Sequence, residues 1–307
     1  MSTEFIIAAI VTIVGLTTPI LLAALGELVV EKAGVLNLGV EGMMLMGAIC
    51  GFGVTVSTFN PWLGILGAAA GGALSSMLFA VLVLELNSNQ VATGLALTIF
   101  GTGLSSLIGL SYTGFIAPVF GSVFPSSLAS DPYLKVIFGY SPIVYFALIM
   151  VPVVAWFLKS TRAGMILRAV GENDLSAHSI GYSVKGVRYA AIAFGGAMAG
   201  IGGAYFSMVI TPMWAEKMTA GRGWIALALV VFAGWRAGRL LVGAYFFGIL
   251  MALELYAKAA GFSFLPSQFW AAMPYLMTVV ALSVISMRDR SGGNAPACLG
   301  KPFLPST

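Results

Sequence analysis

The segment FIIAAIVTIVGLTTPILLAAL, from Phe5 to Leu25, carries no charged side chain. A helix of about 20 apolar residues is long enough to cross the hydrocarbon core of a bilayer. The rest of the chain has the same character, since 59% of its 307 residues are hydrophobic and only 8% are charged, against about 25% charged residues in a soluble domain. We therefore predict an all-α integral membrane protein.

Hydropathy divides the chain into about nine transmembrane helices, with eight or ten as alternatives because the seventh is short. The predicted spans are Phe5–Leu25, Ala33–Thr55, Trp62–Leu84, Val91–Leu110, Ser141–Leu158, Val187–Ile210, Gly223–Trp235, Leu240–Ala257 and Phe269–Met287. They form one polytopic helix bundle over residues 1–290 and leave no room for a soluble domain. Residues 291–307, rich in Gly and Pro, are predicted to be a disordered tail.

The basic residues orient these spans, because Lys and Arg concentrate on the cytoplasmic side of a membrane. If the N-terminus lies outside, eleven Lys and Arg residues fall inside and four fall outside. No basic residue precedes Lys32, whereas a secretory signal peptide starts with a basic region, so the first span is expected to be retained. Nine spans then place the C-terminus and the tail in the cytoplasm.

The sequence offers no energy source and no catalytic residues. It lacks the G-x-x-x-x-G-K-[ST] phosphate loop, so a partner would have to bind ATP, and no cofactor is expected. The predicted spans hold no His, Cys or paired-carboxylate constellation, which argues against a membrane enzyme and against a metal site. Ion-coupled carriers usually bury several ionisable groups, and few are found here. An ion-gradient-coupled carrier of small polar solutes nevertheless stays open as an alternative.

Four polar residues are candidates for a translocation path or its gate. Glu41 lies early in the second predicted span, and Asn37 precedes it by four residues on the same predicted helical face. A charge at the centre of a membrane helix costs about 2.5–3.5 kcal/mol on insertion scales, so Glu41 needs a reason. That reason is either a hydrogen bond between helices or a role in the path. Asn87 and Asn89, between the third and fourth spans, complete the set.

Residues Lys159–Gly186 are too charged to lie in lipid and too regular for a linker. Gly residues punctuate the segment, and a stripe of apolar residues predicts a pair of short amphipathic helices: Ala169, Leu175, Ala177, Ile180 and Val184. Such helices can dock into a groove on another protein, and the alternative is a loop that lies on lipid headgroups. Close approach by a partner would explain the small residues at Ala169, Gly171 and Ala177.

Three stretches together resemble a known family. RAVGENDLSAHSIGYSV (Arg168–Val184) resembles the EAA-like coupling loop of ABC importer permeases, in the family that holds the ribose, branched-chain amino-acid and nucleoside permeases. EKAGVLNLGVEGMMLMGA (Glu31–Ala48) resembles the opening of the second span in its nucleoside and simple-sugar branch, and GRGWIALALVVFAGWRAGR (Gly221–Arg239) also fits the family. We call Lys159–Gly186 the coupling segment. The resemblance implies that its ATPase-coupling residues are Arg168, Ala169, Gly171, Glu172, Asn173, Ala177 and Gly181.

The resemblance also implies a function and a set of partners. It makes the chain the permease subunit of an ATP-driven importer in the bacterial inner membrane, carrying nucleosides or a related sugar-containing solute. Separate cytoplasmic subunits would bind and hydrolyse ATP. A second, different permease and an external solute-binding lipoprotein or periplasmic protein would complete the complex, with this chain as the shorter permease. The residues do not specify the solute beyond its class.

Overall fold

The computed structural model describes residues 3–120, 123–125, 133–259, 267–288 and 295–304. Within these ranges the regular structure is helical throughout, with no strand, which confirms the predicted all-α class. The helices are α1 Thr3–Lys32, α2 Val40–Thr58, α3 Pro61–Leu84, α4 Gln90–Gly109, α5 Lys135–Phe138, α6 Pro142–Ser160, α7 Arg162–Glu172, α8 Asp174–Ser179, α9 Val184–Tyr205, α10 Arg222–Phe232, α11 Ala237–Ala259 and α12 Ser267–Arg288. A 3-10 turn at Leu110–Tyr112 extends α4, and a π-helical turn at Phe206–Ile210 extends α9.

By length and composition, seven of the described helices can cross a membrane: α1, α2, α3, α4, α6, α9 and α11. The predicted count of about nine is therefore not confirmed. The seventh predicted span corresponds to α10, which has 11 residues. At about 1.5 Å per residue it covers about 16 Å, roughly half of a hydrocarbon core about 30 Å thick. The ninth predicted span is helical as α12.

Two helices, α2 and α9, form the centre of the bundle and are covered by α1 and α3. Most residues of each are buried inside the protein. A Cβ added at Gly47 of α2 would overlap the backbone of Gly200 on α9, and one added at Gly72 of α3 would overlap the carbonyl oxygen of Gly196. At these contacts small residues allow the helices to approach each other closely.

The chain between α1 and α2 differs from the prediction. The second span was expected to begin at Ala33, but residues 33–39 are not helical and α2 begins only at Val40. The backbone nitrogen of Asn37 donates to Glu27 Oε1 at 3.2 Å, so the chain folds back along α1 after Lys32. Irregular backbone at membrane depth is tolerated where protein buries it, and most of residues 33–39 are buried.

The C-terminal residues also depart from expectation. The sequence predicts a disordered tail over 291–307. Residues 291–294 and 305–307 lie outside the described residues, whereas residues 295–304 pack against the rest of the protein. The backbone nitrogen of Cys298 donates to the carbonyl oxygen of Gly171 at 2.9 Å, and Phe303 is only 8% exposed. The Gly and Pro content of the tail did not predict this packing, because the packing depends on contacts with residues far away in the sequence.

Candidate functional site

The coupling segment folds into the predicted pair of short helices, α7 and α8. Thr161 Oγ1 accepts a hydrogen bond from the backbone nitrogen of Gly164 at 3.0 Å and so caps α7. Asn173 Oδ1 accepts one from Ser176 at 2.9 Å and caps α8. Both residues have extended backbone and a short polar side chain, the usual combination at the first position of a helix. These two caps separate the helices from each other and from α6.

The pair is amphipathic, but the residues of the predicted apolar stripe do not share one face. Ala177 and Val184 are buried within this chain, whereas Ala169, Leu175 and Ile180 are exposed. The buried face instead carries residues three or four apart, which pack toward the bundle: Gly164, Leu167, Val170, Gly171, Asp174 and Ala177. The outer face therefore presents Leu175, half exposed, and Ile180, at 70% exposure.

Two of the three small residues expected to face a partner, Gly171 and Ala177, face this chain instead. A Cβ at Gly171 would overlap the carbonyl oxygen of Lys32, so a side chain there would push α7 away from the end of α1. Ala177 is 3% exposed and packs in a cluster with Val170, Val184 and Phe303. Packing within the chain therefore explains why both residues are small, without a partner.

The other predicted coupling residues lie on the surface of this pair. Arg168 and Glu172 are exposed on α7, and Asn173 is the exposed junction between the two helices. Gly181 ends α8 with a φ of +95°, a left-handed conformation that side chains other than Gly rarely adopt. All of them are accessible to a second protein.

Sequence analysis missed a buried ion pair that joins α8 to the bundle. Arg188 of α9 is fully buried, and its Nη2 donates to Asp174 Oδ2 at 3.1 Å. Its Nε donates to the carbonyl oxygen of Ala33 at 3.2 Å. One guanidinium thus connects the coupling helices, α9 and the α1–α2 connection. The Arg188–Asp174 spacing of 14 residues gave no local signal for this contact.

Glu41 bridges the beginnings of two helices. Its Oε1 accepts from Thr219 Oγ1 at 2.6 Å and from the backbone nitrogen of Gly221 at 2.7 Å. Its Oε2 accepts from the backbone nitrogen of Gly223 at 2.6 Å. These donors lie at the N-terminus of α10, where unpaired N–H groups and the helix dipole favour a negative charge. The structure thus supplies the interhelical hydrogen bonds that were one of the two explanations for Glu41.

Asn37 lies near Glu41 in sequence but is not on the same helical face, because it precedes α2. Its Oδ1 accepts from the backbone nitrogen of Gly39 at 2.8 Å, just before the first turn of α2. The expectation of a shared helical face was wrong because hydropathy does not detect a break in an apolar helix. Asn37 therefore shapes the irregular segment that leads into Glu41.

Two buried carboxylates of α1, Glu27 and Glu31, were absent from the predicted set. Glu27 Oε1 accepts from the backbone of Asn37, and Glu31 Oε2 accepts from Trp235 Nε1 at 2.5 Å, just past the C-terminal end of α10. The two residues are four apart and so share one face of α1. That spacing is visible in the sequence, but the first span was predicted to end at Leu25, which left both outside it.

Asn87 and Asn89 have local roles in the turn between α3 and α4. Asn87 has a left-handed φ of +51°, and Asn89 Oδ1 accepts from Ala92 at 3.0 Å and caps α4. Both are exposed, whereas Asn37 and Glu41 are buried. Beside them, the ammonium group of Lys185 donates to Glu85 at 2.7 Å and holds the pKa of that carboxyl below its ordinary value. The four predicted path residues thus do not form one surface.

Comparison with known proteins gives the context for this arrangement. Residues 9–282 match the family model described as the permease component of the branched-chain amino acid transport system. A putative glucose ABC transporter permease of Haloferax volcanii is 42% identical over 89% of this chain and 90% of its own length. A guanosine ABC transporter permease of Bacillus subtilis is 30% identical, with 93% of each chain covered.

A nucleoside ABC transporter permease of Lactococcus lactis is also 30% identical, over 87% of this chain and 89% of its own length. The Haloferax and Bacillus proteins each have a second relative of this chain in the same organism, at 28% and 26% identity. Such pairs support a second permease as a partner within an ABC system. The chain belongs to the branched-chain amino acid transport system permease family, and it is a multi-pass membrane permease of the ABC type rather than an enzyme.

Proposed function

We propose that the chain is the shorter of two different permease subunits in an importer, and that α7 and α8 receive the ATP-binding subunit. The observation that carries this proposal is the outer face of the two helices. Leu175 and Ile180 expose apolar side chains there, while the opposite face is anchored in the bundle. A solvated apolar face on a rigidly attached helix pair has the character of a docking surface.

The lengths covered by the comparisons support the assignment as the shorter permease. The matches cover similar shares of this chain and of the first Haloferax and Bacillus proteins, whereas the matches to the second permeases cover 76% and 75% of this chain but only 65% and 69% of the relative, which is therefore longer. A longer partner is therefore expected beside this chain. A cytoplasmic ATP-binding subunit and an external solute-binding protein are the remaining partners in this proposal.

Orientation follows from the same proposal. If α7 and α8 meet a cytoplasmic ATPase, then the ends of α1, α6 and α9 nearest to them lie on the inner side of the membrane. Basic residues gather at these ends, which agrees with the rule that cytoplasmic loops are rich in Lys and Arg: Lys32, Lys159, Arg162, Arg168 and Lys185. The N-terminus is then outside.

The substrate class proposed is a nucleoside or a related sugar-containing solute. This proposal is supported by the names of the relatives, which are called glucose, guanosine and nucleoside permeases. These solutes share a ring with several hydroxyl groups. A permease that passes them needs no fixed countercharge for the solute.

Buried carboxylates do not require an ion-coupled mechanism here. Glu27, Glu31 and Glu41 all accept hydrogen bonds from this chain, and the partners lie on the irregular α1–α2 connection or at the two ends of α10. Each of them therefore has a packing role in the conformation described. The ion-gradient alternative gains no specific support from these groups.

The test is uptake by the assembled complex in proteoliposomes. Guanosine, glucose, ribose and leucine would be offered with ATP inside the vesicles, or with an imposed proton gradient and no ATP. We expect accumulation of guanosine or a sugar with ATP alone. Accumulation driven by the gradient alone would contradict the ATP-driven mechanism. Uptake of leucine without any nucleoside or sugar would contradict the substrate class.

A further inference from the structure

The tail segment, residues 295–304, lies between two parts of the protein that are also joined by the buried guanidinium group of Arg188. These parts are the coupling helices α7 and α8, and the α1–α2 connection of residues 33–39. The tail segment contacts both along its length. The conformation of the tail segment therefore depends on the position of the coupling helices.

On the side of the coupling helices, the tail segment makes backbone and aromatic contacts. The backbone nitrogen of Cys298 donates to the carbonyl oxygen of Gly171 at 2.9 Å, at the end of α7. Phe303 fills a small apolar cluster with Val170, Ala177 and Val184. Its ring also meets His178 edge to face, with centroids 5.4 Å apart.

On the other side, the tail segment contacts the α1–α2 connection. The backbone nitrogen of Gly300 donates to the carbonyl oxygen of Gly34 at 3.3 Å. Gln90, the first residue of α4, donates from Nε2 to the carbonyl oxygen of Lys301 at 3.3 Å. The same side chain accepts from the backbone nitrogen of Leu36 at 2.8 Å, so it ties the tail and the connection together.

The α1–α2 connection leads directly to the carboxylates inside the bundle. Asn37 follows Leu36 and donates its backbone N–H to Glu27, and Glu41 lies four residues later in the first turn of α2. A displacement of residues 33–36 would therefore move Glu41, and the hydrogen bonds of Glu41 would transmit this movement to the N-terminus of α10. Energetic coupling between distant sites is carried by such packed and hydrogen-bonded elements when they move as units.

We propose that the tail segment is a strut that makes the coupling helices and the α1–α2 connection move as one unit, with Phe303 as a positioning residue for coupling. The inference rests on the proposed docking of an ATPase to α7 and α8. Phe303 touches no solute and no nucleotide in this role. It keeps α8 seated so that a push on the outer face is passed to the connection rather than absorbed by tilting of the helix pair.

The first test compares two neighbouring residues of the tail. Phe303→Ala empties the apolar cluster, whereas Leu304→Ala truncates an adjacent side chain that is 63% exposed. In the assembled complex, with guanosine or glucose as the probe that the wild type accumulates, we expect Phe303→Ala to lower solute moved per ATP hydrolysed by about three- to tenfold. Leu304→Ala is expected to keep the wild-type ratio, and Phe303→Leu to restore most of it.

Two outcomes would overturn the strut. One is a wild-type ratio in Phe303→Ala, and the other is an equal loss in Leu304→Ala. A merely destabilising change would reduce the amount of complex without changing this ratio. If the wild-type complex itself fails to transport with ATP, the proposed function fails, which is a different result from a wild type that works and a Phe303 variant that matches it.

A cross-link tests the same inference without removing any packing. A Cβ built on Gly34 lies 3.4 Å from Cβ of Cys298, close to the roughly 3.5–4.5 Å found across disulfides. In a Cys50→Ala background, Gly34→Cys should form a disulfide with Cys298 on mild oxidation. Gly34→Ala is the matched control, because Gly34 has a φ of +85° and any side chain there is strained.

A strut that stays docked throughout the cycle predicts equal transport by the oxidised and the reduced Gly34→Cys complex. Loss of transport on oxidation that is reversed by a reductant would mean that the tail must release in each cycle, and the proposal would be wrong. Failure to form the disulfide in the folded complex would contradict the docked position itself.

Discussion

The carboxylate of Glu41 and the backbone nitrogen of Gly223 are joined by a hydrogen bond of 2.6 Å. Glu41 lies in the first turn of α2, and Gly223 lies in the first turn of α10. A Cβ at Gly223 would come within 2.7 Å of Glu41 Oε2, so only Gly allows this approach without a shift. One carboxylate therefore lies at the N-termini of two helices that begin inside the bundle.

We predict that Glu41→Gln destabilises the protein. An amide retains one acceptor oxygen, but its NH₂ group would face a backbone N–H that in the wild type donates to the other carboxylate oxygen. A buried donor without a partner costs about 1–3 kcal/mol, and the interaction of the charge with the two helix dipoles is lost as well. Thermal unfolding of the purified permease in detergent measures the effect as a lower midpoint.

Glu254→Gln is the matched control for this change. Glu254 pairs with Lys258 one turn along α11 at a partly exposed site, and such pairs contribute only about 0.3–0.5 kcal/mol. Equal shifts in the two variants would contradict the special role of Glu41. A Glu41→Gln protein with normal stability but several-fold weaker transport would place the charge in the translocation path instead.

The sequence predicted the features that depend on local pattern. The length of the apolar stretches predicted the helical class, and the Gly residues and apolar residues of Lys159–Gly186 predicted a pair of short helices. It failed where hydrogen bonds between distant residues decide the structure. Residues 33–39 are apolar enough to continue a helix, yet Glu27, Gln90 and Thr98 hold their backbone in an irregular path.

The sequence also did not predict which face of each coupling helix is buried. Ala177 and Leu175 are both apolar and close in sequence, but the first is buried and the second exposed, because Asp174 must reach Arg188. That contact fixes the rotation of α8 about its axis. A stripe drawn from apolar residues alone puts Leu175 and Ala177 on one face, whereas in the structure they lie on opposite faces.

We predict that Arg188→Met is strongly destabilising. It removes the partner of Asp174, and breaking a buried pair by removing one member costs about 3–5 kcal/mol. Asp174→Leu combined with Arg188→Met should recover part of this loss, since the uncompensated charge is then gone. The exposed pair of Lys185 and Glu85 is the control, and Lys185→Met should lower the unfolding midpoint far less. Equal effects at Arg188 and Lys185 would contradict the buried role.

We predict that Gly171→Ala separates α7 from the end of α1. The added methyl group would overlap the carbonyl oxygen of Lys32, which is backbone and cannot rotate away. Gly238→Ala is the matched control, because a Cβ there meets nothing within 4 Å and Ala is a better helix former than Gly. Thermal unfolding should show a lower midpoint for the first variant only. A Gly171→Ala protein as stable as Gly238→Ala would contradict the close contact.

We predict that Ile180→Glu weakens association with the ATP-binding subunit and leaves the permease folded. Ile180 is 70% exposed on the outer face of the coupling segment, so a charge there disturbs no packing in this chain but would be buried at a docked interface. Ala177→Glu, in contrast, places a charge in the cluster around Phe303 and should lower the unfolding midpoint itself. Co-purification of the ATPase with permease variants, read beside their unfolding midpoints, separates the two effects, and Ile180→Leu should bind normally. An Ile180→Glu permease that retains its ATPase and transports normally would show that this face is not the docking surface, because a buried unpaired carboxylate cannot be neutral to a tight interface.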